Sequence, residues 1–394
     1  MKQTLKDVLA PFRRFFQMES SSGLVLLLAA IAALALANSP LAASYEALLH
    51  LPLGFSLGGL ALSMPLEHWV NDGLMTVFFF AIGLEIKREF LYGELRTKSA
   101  MVLPVTAALF GMLVPALLYS LINYGTETAG GWGIPMATDI AFALGILSLV
   151  GRDAPLGLVV FLTALAIVDD LGAIVVIALF YSTDISILPL GLGLLALLGA
   201  FLLGRTRFRG LRSLPLYLVL GLLAWSAFLS SGIHPTIAGV LLGLSIPASE
   251  DASASLLHRV ESALEPWSAY FIMPVFALTN AGVAIGGGSF SLTSPLCLGI
   301  AAGLVLGKPI GIFGSTRVLT AAIRAPLPGN ASTRQLLGVG SLGGIGFTMS
   351  IFIATLAFPE PDILAAAKLS ILSASVLSGI LGALIFRFFR SRAE

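Results

Sequence analysis

Residues 162–176 read Leu162-Thr163-Ala164-Leu165-Ala166-Ile167-Val168-Asp169-Asp170-Leu171-Gly172-Ala173-Ile174-Val175-Val176. Two adjacent aspartates interrupt a run that is apolar for more than two helical turns on either side. A hydrocarbon core about 30 Å thick takes about 20 apolar residues as a helix. The run is long enough to be one, with Arg152 marking one end and Asp184 lying beyond the other. The aspartates therefore fall near its middle, where an ionisable group is so costly that it marks function by default. Adjacent helical positions lie about 100° apart, so both carboxylates can face one sector of a bundle interior. Two carboxylates this close in a low dielectric do not both ionise easily. Such a pair can hold protons, or a hard cation through its oxygens.

The remainder of the chain has the same character. Of 394 residues, 57% are hydrophobic and only 11% charged, and the mean hydropathy is +0.97; a soluble domain carries about 25% charged residues. No soluble fold of this length hides so much apolar surface, so lipid is the solvent for most of the chain. That excludes a cytosolic enzyme, a nucleic-acid binder and a secreted disulfide scaffold. The net charge of +1 calls for no polyanionic partner, and the single cysteine, Cys297, cannot form an internal disulfide.

Apolar runs centre near Leu28, Phe79, Ala108, Phe142, Ile167, Leu195, Leu220, Ala238, Phe276, Leu304, Phe347 and Ala374. The fold class is an all-α polytopic membrane protein with about twelve transmembrane helices. Residues 214–229 and 233–246 read as two short helices split by Ser230-Ser231-Gly232-Ile233-His234-Pro235. Twenty of the 22 Lys and Arg residues fall in alternate loops and the two tails, all on one side of such a bundle; Lys308 and Lys368 do not. The positive-inside rule then places both termini in the cytoplasm. Neither a linker nor a tandem repeat divides residues 1–394, which form one transmembrane transporter domain. Residues 1–22 carry Leu5, Val8, Leu9, Phe12, Phe15 and Phe16 at helical spacing among basic residues, the pattern of an interfacial helix. In the extracytoplasmic loop 42–68, Gly58-Gly59 between two apolar runs signals a β-hairpin. A lone hairpin is marginal in water. It pairs with a second copy, giving a homodimer, or the segment is an irregular surface loop.

Three more charges lie where a membrane should be, or at its edge. Asp139 sits in Gly130-Gly131-Trp132-Gly133-Ile134-Pro135-Met136-Ala137-Thr138-Asp139, where glycines and a proline disturb span four. A second irregular span, the eleventh, reads Gly338-Val339-Gly340-Ser341-Leu342-Gly343-Gly344-Ile345-Gly346-Phe347-Thr348-Met349-Ser350. These are the middle members of the triples three-four-five and ten-eleven-twelve, the arrangement of inverted repeats with a binding site between two broken helices. Asp139 can balance the positive helix ends there, and a freed carbonyl such as that of Thr138 can ligate a cation. Lys308, in Gly307-Lys308-Pro309, needs a carboxylate partner to keep its charge; Asp139 and the aspartate pair are the choices. At the inner end of span two, Glu85, Arg88 and Glu89 share one helical face, and His258, Arg259, Glu261 and Glu265 open span nine. Together they read as a pH-responsive cluster at a cytoplasmic funnel, or as ordinary interfacial charges. His234, before Pro235 at a helix end, reads as structural. No Walker loop, zinc spacing or Ser/His/Asp set accompanies these groups, so no catalytic residue is assigned.

The runs around Asp139 (Ala-Thr-Asp-Ile-Ala-Phe-Ala-Leu-Gly), Asp169 and Asp170 (Val-Asp-Asp-Leu-Gly-Ala-Ile), Lys308 (Gly-Lys-Pro) and Gly344 to Ser350 (Gly-Ile-Gly-Phe-Thr-Met-Ser) closely resemble the NhaA-type bacterial sodium/proton antiporters. The resemblance covers nearly the whole chain. It implies an antiporter of the bacterial inner membrane that serves pH homeostasis by expelling sodium or lithium for protons, electrogenically and under pH control, with no cofactor. By resemblance, Asp169 and Asp170 carry the cation and the protons, and Thr138 and Asp139 lie where the two broken helices cross. Lys308 pairs with Asp169 when sodium is absent, and Glu85, Arg88, Glu89, His258, Arg259 and Glu261 sense pH. The chain departs from the family pattern at the start of span nine, with Ser262 and Glu265 where further histidines are usual. Two rival readings use the same residues. A sodium-coupled symporter of organic acids needs a roomier polar pocket than the sequence supplies. An intramembrane aspartyl protease built on Asp139 and Asp169 has its shared-proton chemistry suppressed by a neighbouring lysine.

Overall fold

The computed structural model describes residues 21–57, 60–151, 154–182, 184–206, 211–249, 255–285, 291 and 293–388. Apart from Ser21 and Ser22, the proposed interfacial helix 1–22 lies outside the described residues, as does the Gly58-Gly59 turn. The chain runs α1 (Ser21–Ala37), α2 (Ala42–Leu49), β1 (Pro52–Leu57), β2 (Leu60–Pro65), α3 (Leu66–Leu91) and α4 (Lys98–Ile122). A 3₁₀ segment, Ala129–Met136, leads to α5 (Ile140–Val150), then α6 (Leu156–Phe180), α7 (Ile187–Leu203), α8 (Leu214–Leu229) and α9 (Thr236–Ser245). Next come α10 (Leu256–Trp267), a π turn at Ser268–Ile272, and α11 (Met273–Asn280). Last are α12 (Pro295–Ile323), α13 (Thr333–Leu342), α14 (Phe347–Ala357) and α15 (Pro361–Phe388).

This is an all-α membrane protein with a small extramembrane hairpin. Among the described residues, α3, α4, α6, α12 and α15 are each long and apolar enough to cross a bilayer. Three bent pairs reach the same length and composition when joined: α1 with α2, bent by 115°, the 3₁₀ segment with α5, bent by 41°, and α13 with α14, bent by 42°. Helices α7, α8 and α9 are shorter and apolar. Strands β1 and β2 pair antiparallel, Pro52 opposite Pro65 and Leu57 opposite Leu60.

Helices apolar all round are either buried or bathed in lipid, and burial separates the two cases. Helix α6 is central: Leu158, Phe161, Leu162, Leu165, Ile167, Asp169, Asp170 and Ile174 are all buried. Helix α7, equally apolar, buries only Gly193, Leu197 and Ala200. Without a hydrophobic drive between helices in lipid, close contact through small residues takes over. Helices α3 and α9 show it: a Cβ on Gly83 would lie 2.5 Å from the Val240 carbonyl oxygen, and one on Gly243 would lie 2.6 Å from that of Phe80. Lys87 completes the pairing by donating to the Leu244 and Ile246 carbonyls, at 2.8 and 2.5 Å, where α9 ends.

Candidate functional site

The two breaks meet. Glycines and Pro135 keep both chains from continuing as regular helix, which frees backbone groups inside the bundle. Each break then satisfies the other. The Asp139 N–H donates to the Ile345 carbonyl at 2.6 Å. The Ser350 hydroxyl, in α14, donates to the Ile134 carbonyl at 2.7 Å. The Thr138 hydroxyl lies 2.8 Å from the Gly343 carbonyl and 2.7 Å from Asp169 Oδ2, and donates to one of them at a time.

Asp139 is the N-cap of α5, its Oδ1 accepting from the Phe142 N–H at 3.2 Å. Its Oδ2 accepts from the Thr348 N–H at 3.2 Å and from the Thr348 hydroxyl. One carboxylate therefore serves the positive ends of two half-helices. A helix end contributes about 0.3–1 kcal/mol to a nearby charge, up to ~2 kcal/mol in favourable buried geometry. Burying a carboxylate costs several kcal/mol. Dipoles alone do not offset that, so the three donors are needed; hydrogen bonds to charged groups contribute about 1.5–3 kcal/mol each. The α14 end gains a further acceptor from α15, where Ser375 Oγ receives the Phe347 N–H at 3.1 Å.

Lys308 is fully buried and ion-paired with Asp169 Oδ2. Of the carboxylates open to it on sequence grounds, it takes Asp169. Helix α12 carries a π turn, Ala302–Gly307, immediately before Lys308. Asp169 Oδ1 is buried without a hydrogen-bond partner among the described residues, and so is Asp170 Oδ1. The neighbouring aspartates thus differ: Asp169 is enclosed against Thr138 and Lys308, while Asp170, 6% exposed, looks into a cavity. That cavity, about 410 Å³, has Asp170, Thr138 and Asp139 on its floor and Glu85, Arg88, His258, Glu261 and Glu265 toward its mouth.

The mouth is an ion-pair network centred on Arg88. Its guanidinium reaches Glu261 at 2.7 Å, Glu89 at 2.5 Å and Glu85 at 3.9 Å. Glu85, Arg88, Glu89 and Glu261 are thereby brought together from α3 and α10. His258 lines the cavity from an exposed position. Arg259 is exposed and forms no ion pair among the described residues. Sequence reasoning gave no role to Thr348, Ser375 or Lys87. A helical hydroxyl ordinarily bonds its own helix, so nothing in the sequence near Thr348 or Ser375 points to a partner far away in the chain.

Fold and site define a polytopic helical membrane protein whose ionisable centre lies between two broken helices. The chain belongs to the Na+/H+ antiporter 1 family, whose model matches residues 13–386. It is 49% identical over 400 residues to Na(+)/H(+) antiporter NhaA 2 of Clostridium beijerinckii, covering 100% of this chain and 98% of that one. It is 50% identical over 394 residues to NhaA 2 of Pseudomonas syringae pv. syringae, covering 98% and 97%. It is 47% identical over 431 residues to NhaA of Oleidesulfovibrio alaskensis, covering 98% and 95%.

Proposed function

We propose that this chain expels sodium or lithium ions from the cytoplasm in exchange for protons, by alternating access at Asp169 and Asp170. The observation that carries this reading is Asp170: a nearly enclosed carboxylate, with its Oδ1 unbonded, on the floor of an open cavity beside an aspartate already held by lysine. Unbonded oxygens on adjacent carboxylates suit a hard cation, and they suit protons equally well. The two therefore compete. High internal sodium displaces protons, and external protons displace sodium once the site faces outward. In the absence of sodium, Lys308 neutralises Asp169; an arriving cation replaces that ammonium, so the buried carboxylate is never left uncompensated. Release of more than one proton per cation makes the exchange electrogenic and lets the membrane potential drive it.

Asp139 holds the two half-helix ends at the cation site, with Thr138 contributing an oxygen. The network of Glu85, Arg88, Glu89, Glu261 and His258, with Arg259 at its edge, makes access to the cavity pH-dependent. The topology that fits is twelve spans in inverted repeats, the broken pairs crossing as spans four and eleven. The alternation of basic loops supports both termini facing the cytoplasm, in the inner membrane of a bacterium. The β1–β2 hairpin, with its unpaired edges, suits a homodimer.

The test is dissipation of a pH gradient in inside-out vesicles on adding sodium, lithium or potassium across a range of pH. Responses to sodium and lithium but not potassium, absent in Asp170→Asn, are expected. Sodium-dependent exchange surviving in Asp170→Asn overturns the carrier assignment.

A further inference from the structure

The cavity ends at a layer of aromatic rings. Three elements line its depth, with Phe78 and Ile82 from α3, Met273 from α11 and Met349 from α14. Each element then buries a phenyl ring beside or beyond those residues: Phe79, Phe276 and Phe352, exposed by only 1%, 0% and 0%. Phe352 is the hub. Its ring centroid lies 5.4 Å from that of Phe79 and 6.1 Å from that of Phe276, and the His234 ring stands edge-on to it at 5.2 Å.

Polar side chains resume on the far side of the rings. Asn280, one turn past Phe276 and 3% exposed, exchanges amide contacts with Asn71 at 2.7 and 3.3 Å. Asp72 Oδ1 lies 3.8 Å from His234 Nε2, a buried nitrogen with no hydrogen bond among the described residues. Asn71 and Asp72 belong to a π turn, Trp69–Leu74, within α3; such turns inside helices gather at functional sites. Polar and ionisable groups buried in membrane helices are expensive, and they mark ion paths. Here two polar regions, the Asp170 cavity and the Asn71–Asn280 and Asp72–His234 pairs, are separated by phenyl rings. A hydrophobic constriction between polar segments gates by excluding water.

We propose that Phe352, packed between Phe79 and Phe276, is the outward gate of the ion path, and that the Asn71–Asn280 and Asp72–His234 pairs are the segment of that path beyond it. The proposal rests on the exchange reading above, in which the cavity is the inner half of the route. It also links the gate to the site. Phe352 lies on α14, the half-helix whose first turn is bonded to Asp139 through Thr348. Any tilt of α14 about that attachment carries the ring with it.

The experiment uses the full chain with Cys297→Ala as background and adds Met349→Cys on the cavity side of the rings, or Asn280→Cys beyond them. A charged, membrane-impermeant methanethiosulfonate is applied to right-side-out or inside-out vesicles without sodium or lithium. Asn280→Cys reacts from outside. Met349→Cys reacts from inside, and from outside at least about tenfold more slowly, because the rings exclude a charged reagent. Adding Phe352→Ala raises the outside rate at Met349→Cys by about tenfold or more, and the fold-preserving Phe352→Leu raises it less. Equal modification of Met349→Cys from both sides with Phe352 intact overturns the gate. So does an outside rate unmoved in both Phe352 variants while inside labelling persists. Failure of Met349→Cys to react from inside as well is a different result: it removes the cavity as the inner route and overturns the exchange path on which the gate depends.

Discussion

Asp139 and Thr348 stand 209 positions apart in the chain, and the carboxylate of one receives both the backbone N–H and the hydroxyl of the other. This contact ties the N-terminus of α14 to the break that precedes α5. Replacing Thr348 with Val keeps the shape and removes the O–H. A charge-assisted hydrogen bond contributes about 1.5–3 kcal/mol, so Thr348→Val is expected to lower the melting temperature in detergent. It is also expected to weaken sodium and lithium affinity by about tenfold, while Thr348→Ser stays near the parent. A valine variant matching the parent in both measurements would show that the hydroxyl holds nothing.

The Lys308–Asp169 pair sets up a second contrast. Breaking a buried pair from one side leaves an uncompensated charge and costs about 3–5 kcal/mol. Lys308→Met should therefore destabilise the protein strongly, read as thermal unfolding in detergent. Double replacement of Lys308 by Met and Asp169 by Leu should recover much of the loss, because no orphan charge remains. Equal destabilisation of single and double variants would contradict this account.

Asp170 predicts the opposite pattern. No hydrogen bond to a described residue holds its carboxylate, so replacing it removes a desolvation cost without breaking a contact. Asp170→Asn is expected to abolish exchange with a melting temperature equal to or above the parent's. A marked drop in melting temperature would indicate a structural role instead.

At the mouth, Arg88 and Arg259 separate. Arg88 sits among Glu85, Glu89 and Glu261, whereas Arg259 is exposed and unpaired among the described residues. A cation among carboxylates favours their ionised forms. Arg88→Gln should move the pH of half-maximal exchange upward, by about one unit at most after solvent screening. Arg259→Gln should leave the profile in place. Equal shifts in the two variants would remove the structural distinction between them.

Lys87 gives a test of the α3–α9 pairing. Its ammonium closes the end of α9 at Leu244 and Ile246. Lys87→Met orphans two carbonyls at a cost of about 1–3 kcal/mol. Lys87→Arg, with donors on a planar fork, should recover part of the stability, measured by thermal unfolding.

Composition and apolar runs alone decided that this chain lives in lipid, because no water-soluble fold can hide 57% hydrophobic residues at this length. The cost of a charge in hydrocarbon singled out Asp139, Asp169, Asp170 and Lys308 from the sequence, before any contact was known. Glycine and Pro135 marked where the helices break, since their backbone effects are local. Partners were another matter. Lys308 had several carboxylates open to it, and only the packing of α12 against α4 and the site behind it brought its ammonium to Asp169. Asp169 and Asp170 look equivalent as neighbours in sequence, yet the fold encloses one and opens the other to the cavity. Thr348, Ser375 and the Phe79–Phe276–Phe352 layer carry no local signal, because a hydroxyl or a phenyl ring in an apolar helix reads as ordinary packing. Spacing along one helix determines which residues share a face, but which faces meet depends on helices hundreds of residues apart coming together. That tertiary arrangement, not any motif, turned isolated costly charges into a site with a floor, a mouth and an aromatic end.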